Sequence, residues 1–197
     1  INISGTITAN IGKDNGADIV ATLDIQAETL TISGTGATKT IEAPSDSWGS
    51  YTGGVFGDGP KHYSYVKEVV IEDGITEIYG LCDSMTELAK ATLPDSLTTI
   101  GNSTFNRCGK LPEVIVLQNC TTIGDNAFNS CQSAVITVLN KDADISDSQY
   151  TFTGVQKIKG HYGSTAQSYA NKYSYPFESI DTITKLQITK KPDRTLH

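Results

Sequence analysis

No run of about 18 consecutive apolar residues occurs in this sequence, so no segment reads as a membrane-spanning helix. Charge is sparse: 19% of the 197 residues are charged, against a usual ~25%. Basic residues are outnumbered, 15 against 22, leaving a net charge of −7. That deficit argues against nucleic acid or an anionic membrane as partner, because both are held through basic patches that release counterions. Histidine occurs three times, as His62, His161 and His197, and none stands beside a nucleophile motif. The GxSxG elbow, the HExxH helix, the Walker loop and the dinucleotide fingerprint are all missing, and SGTG at 33–36 lacks the lysine and helix that phosphate binding requires. Four cysteines, Cys82, Cys108, Cys120 and Cys131, form no CxxC pair, which removes the usual zinc spacing. INISGTITAN at the start has neither the basic head nor the apolar core of a signal peptide, so an export signal is expected outside this sequence.

What fills the chain is threonine, serine, glycine and asparagine, a mixture favouring short strands and turns. A repeat organises them. Residues 88–110, LAKATLPDSLTTIGNSTFNRCGK, overlie 111–133, LPEVIVLQNCTTIGDNAFNSCQS, with eight of 23 positions identical, where chance gives roughly one or two. Leu88, Ala91, Leu93, Leu97, Ile100, Phe105 and Cys108 match Leu111, Val114, Val116, Cys120, Ile123, Phe128 and Cys131. An earlier copy fits at an offset of 22 through Val66, Val69, Ile71, Ile75 and Ile78, and a degraded fourth runs through Ile136, Val138, Ile145 and Phe152.

Each copy begins with alternating apolar residues, the mark of a short half-buried strand, and must then return to the next strand. One coil of this length cannot bury both parts alone; stacking coils does. Gly101 and Gly124, just after the repeated isoleucine, are expected in a turn of positive φ. The expected fold is mainly β with little helix: a short right-handed solenoid of about four coils.

The paired segments PDSLTTIGNSTFNRC and QNCTTIGDNAFNSC resemble the BspA-type leucine-rich repeat of bacterial surface proteins. ETLTISGTGA, Trp48 and VKEVVIEDGITEI resemble the usual approach to such an array, and KGHYGSTAQSYANKYSYPFESI resembles the segment that commonly closes it. The resemblance implies an extracellular, cell-surface or secreted interaction or adhesion module, without catalysis or cofactor. Its partner would be a host or neighbouring-cell surface protein or glycan, and the chain is expected to be monomeric. The first copy departs from the pattern in lacking the Phe and Cys, with Leu81 and Cys82 expected to fill their space.

Four regions follow: an N-terminal β cap and Gly-rich loop at 1–65, the solenoid at 66–155, a C-terminal cap at 156–180, and a tail at 181–197. ADIVATLD and ETLTISG read as a β-hairpin over the first coil. Ser164 with Gln167 reads as a capping box opening a short helix, whose Ala166, Tyr169, Ala170 and Tyr173 share one face, and FESI reads as a closing strand. The tail resembles the first strand of an immunoglobulin-like domain; a plain linker is the alternative.

Two surfaces are candidates for binding. Outward strand positions Lys67, Glu68, Val70, Lys90, Thr92, Glu113, Ile115 and Thr137 form one face, with Val70, Thr92, Ile115 and Thr137 in a row. Four coils at ~4.8 Å spacing and strands of ~13 Å make that face on the order of 200 Å², far below the ~800 Å² per partner of a standard interface. The second candidate is the aromatic loop carrying Trp48, Tyr51, Phe56 and Tyr63, which suits a carbohydrate or anchors the first coil. A spacer that binds nothing is a further reading. Acidic stretches KDADISD at 141–147 and FGDG at 56–59 do not supply a calcium-loop pattern, so no metal is expected. Cys108 and Cys131 occupy equivalent positions in adjacent coils, and a column of reduced thiols or a disulfide are both compatible with that spacing.

Overall fold

Residues 5–13, 18–39 and 65–181 are described by the computed structural model. Trp48, Tyr51, Phe56, Tyr63, Asp58, His62 and the tail from residue 182 lie outside them.

The chain opens as an antiparallel meander, β1 (Thr6–Asn10), β2 (Ile19–Asp24) and β3 (Thr29–Gly34). Strict alternation in β2 buries Ile19, Ala21 and Leu23 and turns Val20, Thr22 and Asp24 outward. From β3 onward every step is a parallel coil. β3 pairs in register with β5 (Glu68–Ile71), which pairs with β7 (Lys90–Thr92). β9 (Glu113–Val116), β11 (Val135–Val138), β13 (Lys157–Gly160) and β14 (Phe177–Ser179) continue the same side, with β7 and β9 adjacent but sharing no ladder. A second sheet stacks β4 (Gly36–Ala37), β6 (Ile75–Ile78), β8 (Thr99–Ile100), β10 (Thr122–Ile123) and β12 (Asp144–Ile145).

Paired from β3/β4 to β11/β12, these strands make five coils, one more than the repeat alone indicates. The extra coil is ETLTISGTGA: β3 belongs both to the cap meander and to the stack, because it is antiparallel to β2 and parallel to β5.

A third side holds the coils together without regular strands. There the Cys82, Phe105 and Phe128 N–H groups donate to the Thr104, Ala127 and Thr151 carbonyls at 2.8, 2.8 and 2.9 Å. These bonds fix which residues are equivalent. Cys82, not a phenylalanine, heads the column Phe105–Phe128–Phe152, and Met85 heads the column Cys108–Cys131–Val155, each residue of which donates its N–H three back to the first column. Leu81 is buried but belongs to neither column. The phenylalanine rings stack at 5.4 and 5.5 Å and are nearly parallel, and Tyr169 closes the column edge-on at 5.0 Å.

Gly101 and Gly124 do not have positive φ. They are required by close approach instead. A Cβ at Gly101 would lie 2.0 Å from the Tyr79 ring, and one at Gly124 would lie 2.6 Å from the Asn102 backbone nitrogen in the preceding coil. The left-handed turns fall on Ser84, Arg107 and Ser130 and on Gly80, Ser103 and Asn126, two positions per coil, and all of these but Asn126 donate their N–H to the next coil.

The C-terminal cap is α1 (Thr165–Tyr173) followed by β14. Ser164 Oγ accepts the Gln167 N–H at 3.2 Å, while Gln167 Oε1 accepts from Gly163 N–H at 2.6 Å, one residue earlier than in a standard box. Ala166, Tyr169 and Ala170 are buried against the last coil. Tyr169 and Tyr173 hydroxyls donate to the Ser148 carbonyl and the Asp147 carboxylate, which ties the helix down through polar as well as apolar contacts.

Candidate functional site

The outward face of the side built by β1, β2, β3, β5 and β7 and continued by β9, β11, β13 and β14 is a long regular surface. Register places Thr8 opposite Thr22, Thr22 opposite Thr31, Thr31 opposite Val70 and Val70 opposite Thr92; Ile115 then lies opposite Thr137, and Thr137 opposite Lys159. The sequence-derived row of Val70, Thr92, Ile115 and Thr137 is therefore the middle of a longer one. Nine strands lie on this side, five in one hydrogen-bonded sheet and four in the next, and their eight spacings make the strip about 38 Å by 13 Å, roughly 500 Å². That corrects the smaller figure obtained from four coils. Alternation in IVATLD is the sequence signal for the further threonine at position 22, in a strand that belongs to the cap.

The row is β-branched and almost uncharged, and Ile115 is its most exposed aliphatic side chain at 48%. Charge sits beside it, paired within the chain. Glu68, in register with Lys90, meets its ammonium at 2.6 Å. Lys67 differs from the outward strand residues: it precedes β5, its N–H donates to the Glu28 carbonyl, and its ammonium reaches the Glu28 carboxylate at 2.5 Å. At the far end Glu178 lies between Lys157 and Lys159 at 2.7 and 2.9 Å, and their hydrogen bonds hold its carboxyl down to about 2. Glu113 is exposed on the same side.

The other candidates carry less chemistry. All four cysteines are buried and free, so Cys108 and Cys131 are not bridged in this structure. Cys108 and Cys131 donate to the Cys82 and Phe105 carbonyls at 3.2 and 3.0 Å. Burial pushes the Cys131 thiol up to about 12 and raises Cys82 and Cys108 as well, which keeps these sulfurs protonated. Within KDADISD, Asp147 is engaged by Lys172 and Tyr173. Among the described residues no group of three or more His, Cys, Asp or Glu is arranged to hold a metal. A cleft of about 120 Å³ lined by Leu23, Ile25, Glu28, Tyr65 and Val66 is small beside the ~300–1,000 Å³ of small-molecule pockets. His161 Nδ1 lies 2.5 Å from Asp181, whose second oxygen accepts the Tyr162 N–H and the Ser179 hydroxyl, a clasp that ties the end of the cap together.

Comparison with known proteins agrees with this architecture. A family described as "BspA type Leucine rich repeat region" matches residues 61–159 in six copies. No curated protein matches. A leucine-rich repeat protein from Eubacterium ventriosum is 20% identical with a TM-score of 0.53, covering 81% of this chain and 45% of its own. One from Bacteroides ovatus is 18% identical with a TM-score of 0.35, covering 72% and 45%. The first shares the fold; this chain spans less than half the length of either.

Proposed function

We propose that this chain, which belongs to the BspA-type leucine-rich repeat family, is a non-catalytic interaction module that acts outside the cell and adheres to a surface protein through the outward face of the side running from β1 to β14. One observation supports the reading above the rest: an ordered strip of β-branched side chains crosses cap and solenoid, with Ile115 exposed near its middle and no structural partner for it among the described residues. Nothing in the fold needs an exposed isoleucine there, whereas an interface needs a desolvated apolar centre with polar surroundings. Because Glu28, Glu68 and Glu178 are already paired within the chain, recognition would depend on shape, methyl and hydroxyl contacts more than on a strong field.

At roughly 500 Å² the strip is still smaller than a standard interface per partner, so single contacts would be weak and display in many copies would supply avidity. The test is a pulldown of host-matrix proteins with the multimerised chain, run beside a glycan array. Capture lost with Ile115→Asp supports the proposal. Glycan binding lost with Trp48→Ala, and indifferent to Ile115→Asp, moves the function to the aromatic loop; absence of both leaves a spacer.

A further inference from the structure

Among the described residues, nothing pairs with the outer edge of β1, the outermost strand of the cap. The Gly5 carbonyl accepts the Ile25 N–H at 3.1 Å and the Ile11 N–H donates to Ile19 at 2.9 Å. With Thr6 opposite Asp24 and Asn10 opposite Val20, those bonds put the odd-numbered residues on the β2 side of the ladder. In an antiparallel pair the alternate residues then aim their N–H and C=O away from the partner. Thr6, Thr8 and Asn10 therefore present both groups at the edge, and among the described residues no strand pairs with them.

Exposed edges are normally blunted by charge, proline, a bulge or brevity. β14, at the opposite end of the same side, has three such features: it is three residues long, follows Pro176 and carries Glu178. β1, TITAN, has none of them. Its pattern is also self-complementary. Two copies run antiparallel about a two-fold axis at Thr8 would set Thr6 opposite Asn10 of the second copy and Thr8 opposite Thr8, so every outward N–H meets an outward C=O. Half-buried Ile7 would lie opposite Ala9 of the second copy, covering apolar surface that both strands leave partly open. No like charges meet.

We propose that β1 is a homotypic pairing edge that joins two copies of this chain into one continuous sheet. This departs from the expected monomer, and it rests on the strand edge alone, not on the binding role of the face. Pairing with blunted β14 would be heterologous and would propagate as a filament; the two-fold closes at a dimer. A contact this small is weak in dilute solution and gains from crowding on a surface, where it would place two strips end to end in one plane.

Sedimentation velocity over a concentration series tests the idea on the 197-residue chain. The wild-type mass is expected to rise towards, and stop at, twice the monomer. Thr8→Pro removes an outward N–H that β2 does not use, and Thr8→Lys sets two ammonium groups together at the axis; both are expected to stay monomeric with melting curves like the wild type. Ile115→Asp is expected to dimerise normally, which separates this proposal from the one above. A wild type that stays monomeric at every concentration, variants that associate as well as it does, or growth past the dimer would overturn the proposal.

Discussion

Single residues in a stacked coil answer to the neighbour above as much as to their own backbone. Gly101 and Gly124 show it. Gly101→Ala pushes a methyl into the Tyr79 ring, which can swing, whereas Gly124→Ala meets the backbone of Asn102 and Gly101. Gly101→Ala is expected to cost about 1–3 kcal/mol and to become nearly neutral when combined with Tyr79→Ala, while Gly124→Ala costs more and no side-chain truncation rescues it. Chemical denaturation of the cycle measures the coupling. Phe128, stacked on both faces and fully buried, is expected to lose about 3–5 kcal/mol on truncation to alanine by the same measurement. The raised thiols predict a labelling contrast at pH 8: no reaction of Cys82, Cys108 or Cys131 with a maleimide or disulfide reagent in the folded protein, and full reaction in denaturant.

At the scale of elements, the C-terminal cap invites two measurements. Ser164→Ala leaves the Gln167 N–H without its acceptor in a buried setting and is expected to destabilise by about 1 kcal/mol. Glu178 is held below its ordinary range when folded, so its contribution is complete above the unfolded value near 4.5 and fades as pH falls through about 2. Glu178→Gln should flatten that limb of the stability curve between those two pH values, converge with the wild type at the acid end and melt slightly lower at neutral pH, the difference being small because the group is solvent-exposed. Helix, cap and closing strand were all legible, because TAQSYANKY has a capping serine, helical spacing of its apolar residues and a following proline. The alternation of β5 and β11 was legible for the same reason: burial imposes a period that the residue types record. Two things escaped. The glycines at 101 and 124 read as turn residues because positive φ is a property of one residue, while the clash that requires them comes from another coil. Met85 likewise stands in a cysteine column without resembling a cysteine; only the inter-coil hydrogen bonds identify it.

For the whole molecule, the repeat located the stack but undercounted it. ETLTISGTGA carries no phenylalanine and no cysteine and shares with the copies after Val66 only the short alternation of Leu30 and Ile32, which suits a cap hairpin equally well, so its membership follows from the parallel register of β3 with β5 and of β4 with β6. Of the candidate binding surface, the central row was legible from alternation, its extension through Thr31, Thr22 and Thr8 was not, and the aromatic loop lies outside the described residues.

Register between coils has one more consequence. From Leu88 onward each turn shows its successor much the same outline: the same three seams, the same aromatic column, the same rim. A tandem duplication of 22 or 23 residues in phase with Leu88 to Lys110 would slot in without remaking either terminus, lengthening the molecule by one rung. Reach is thus a quantity that this architecture can alter by copying, with no new surface to invent.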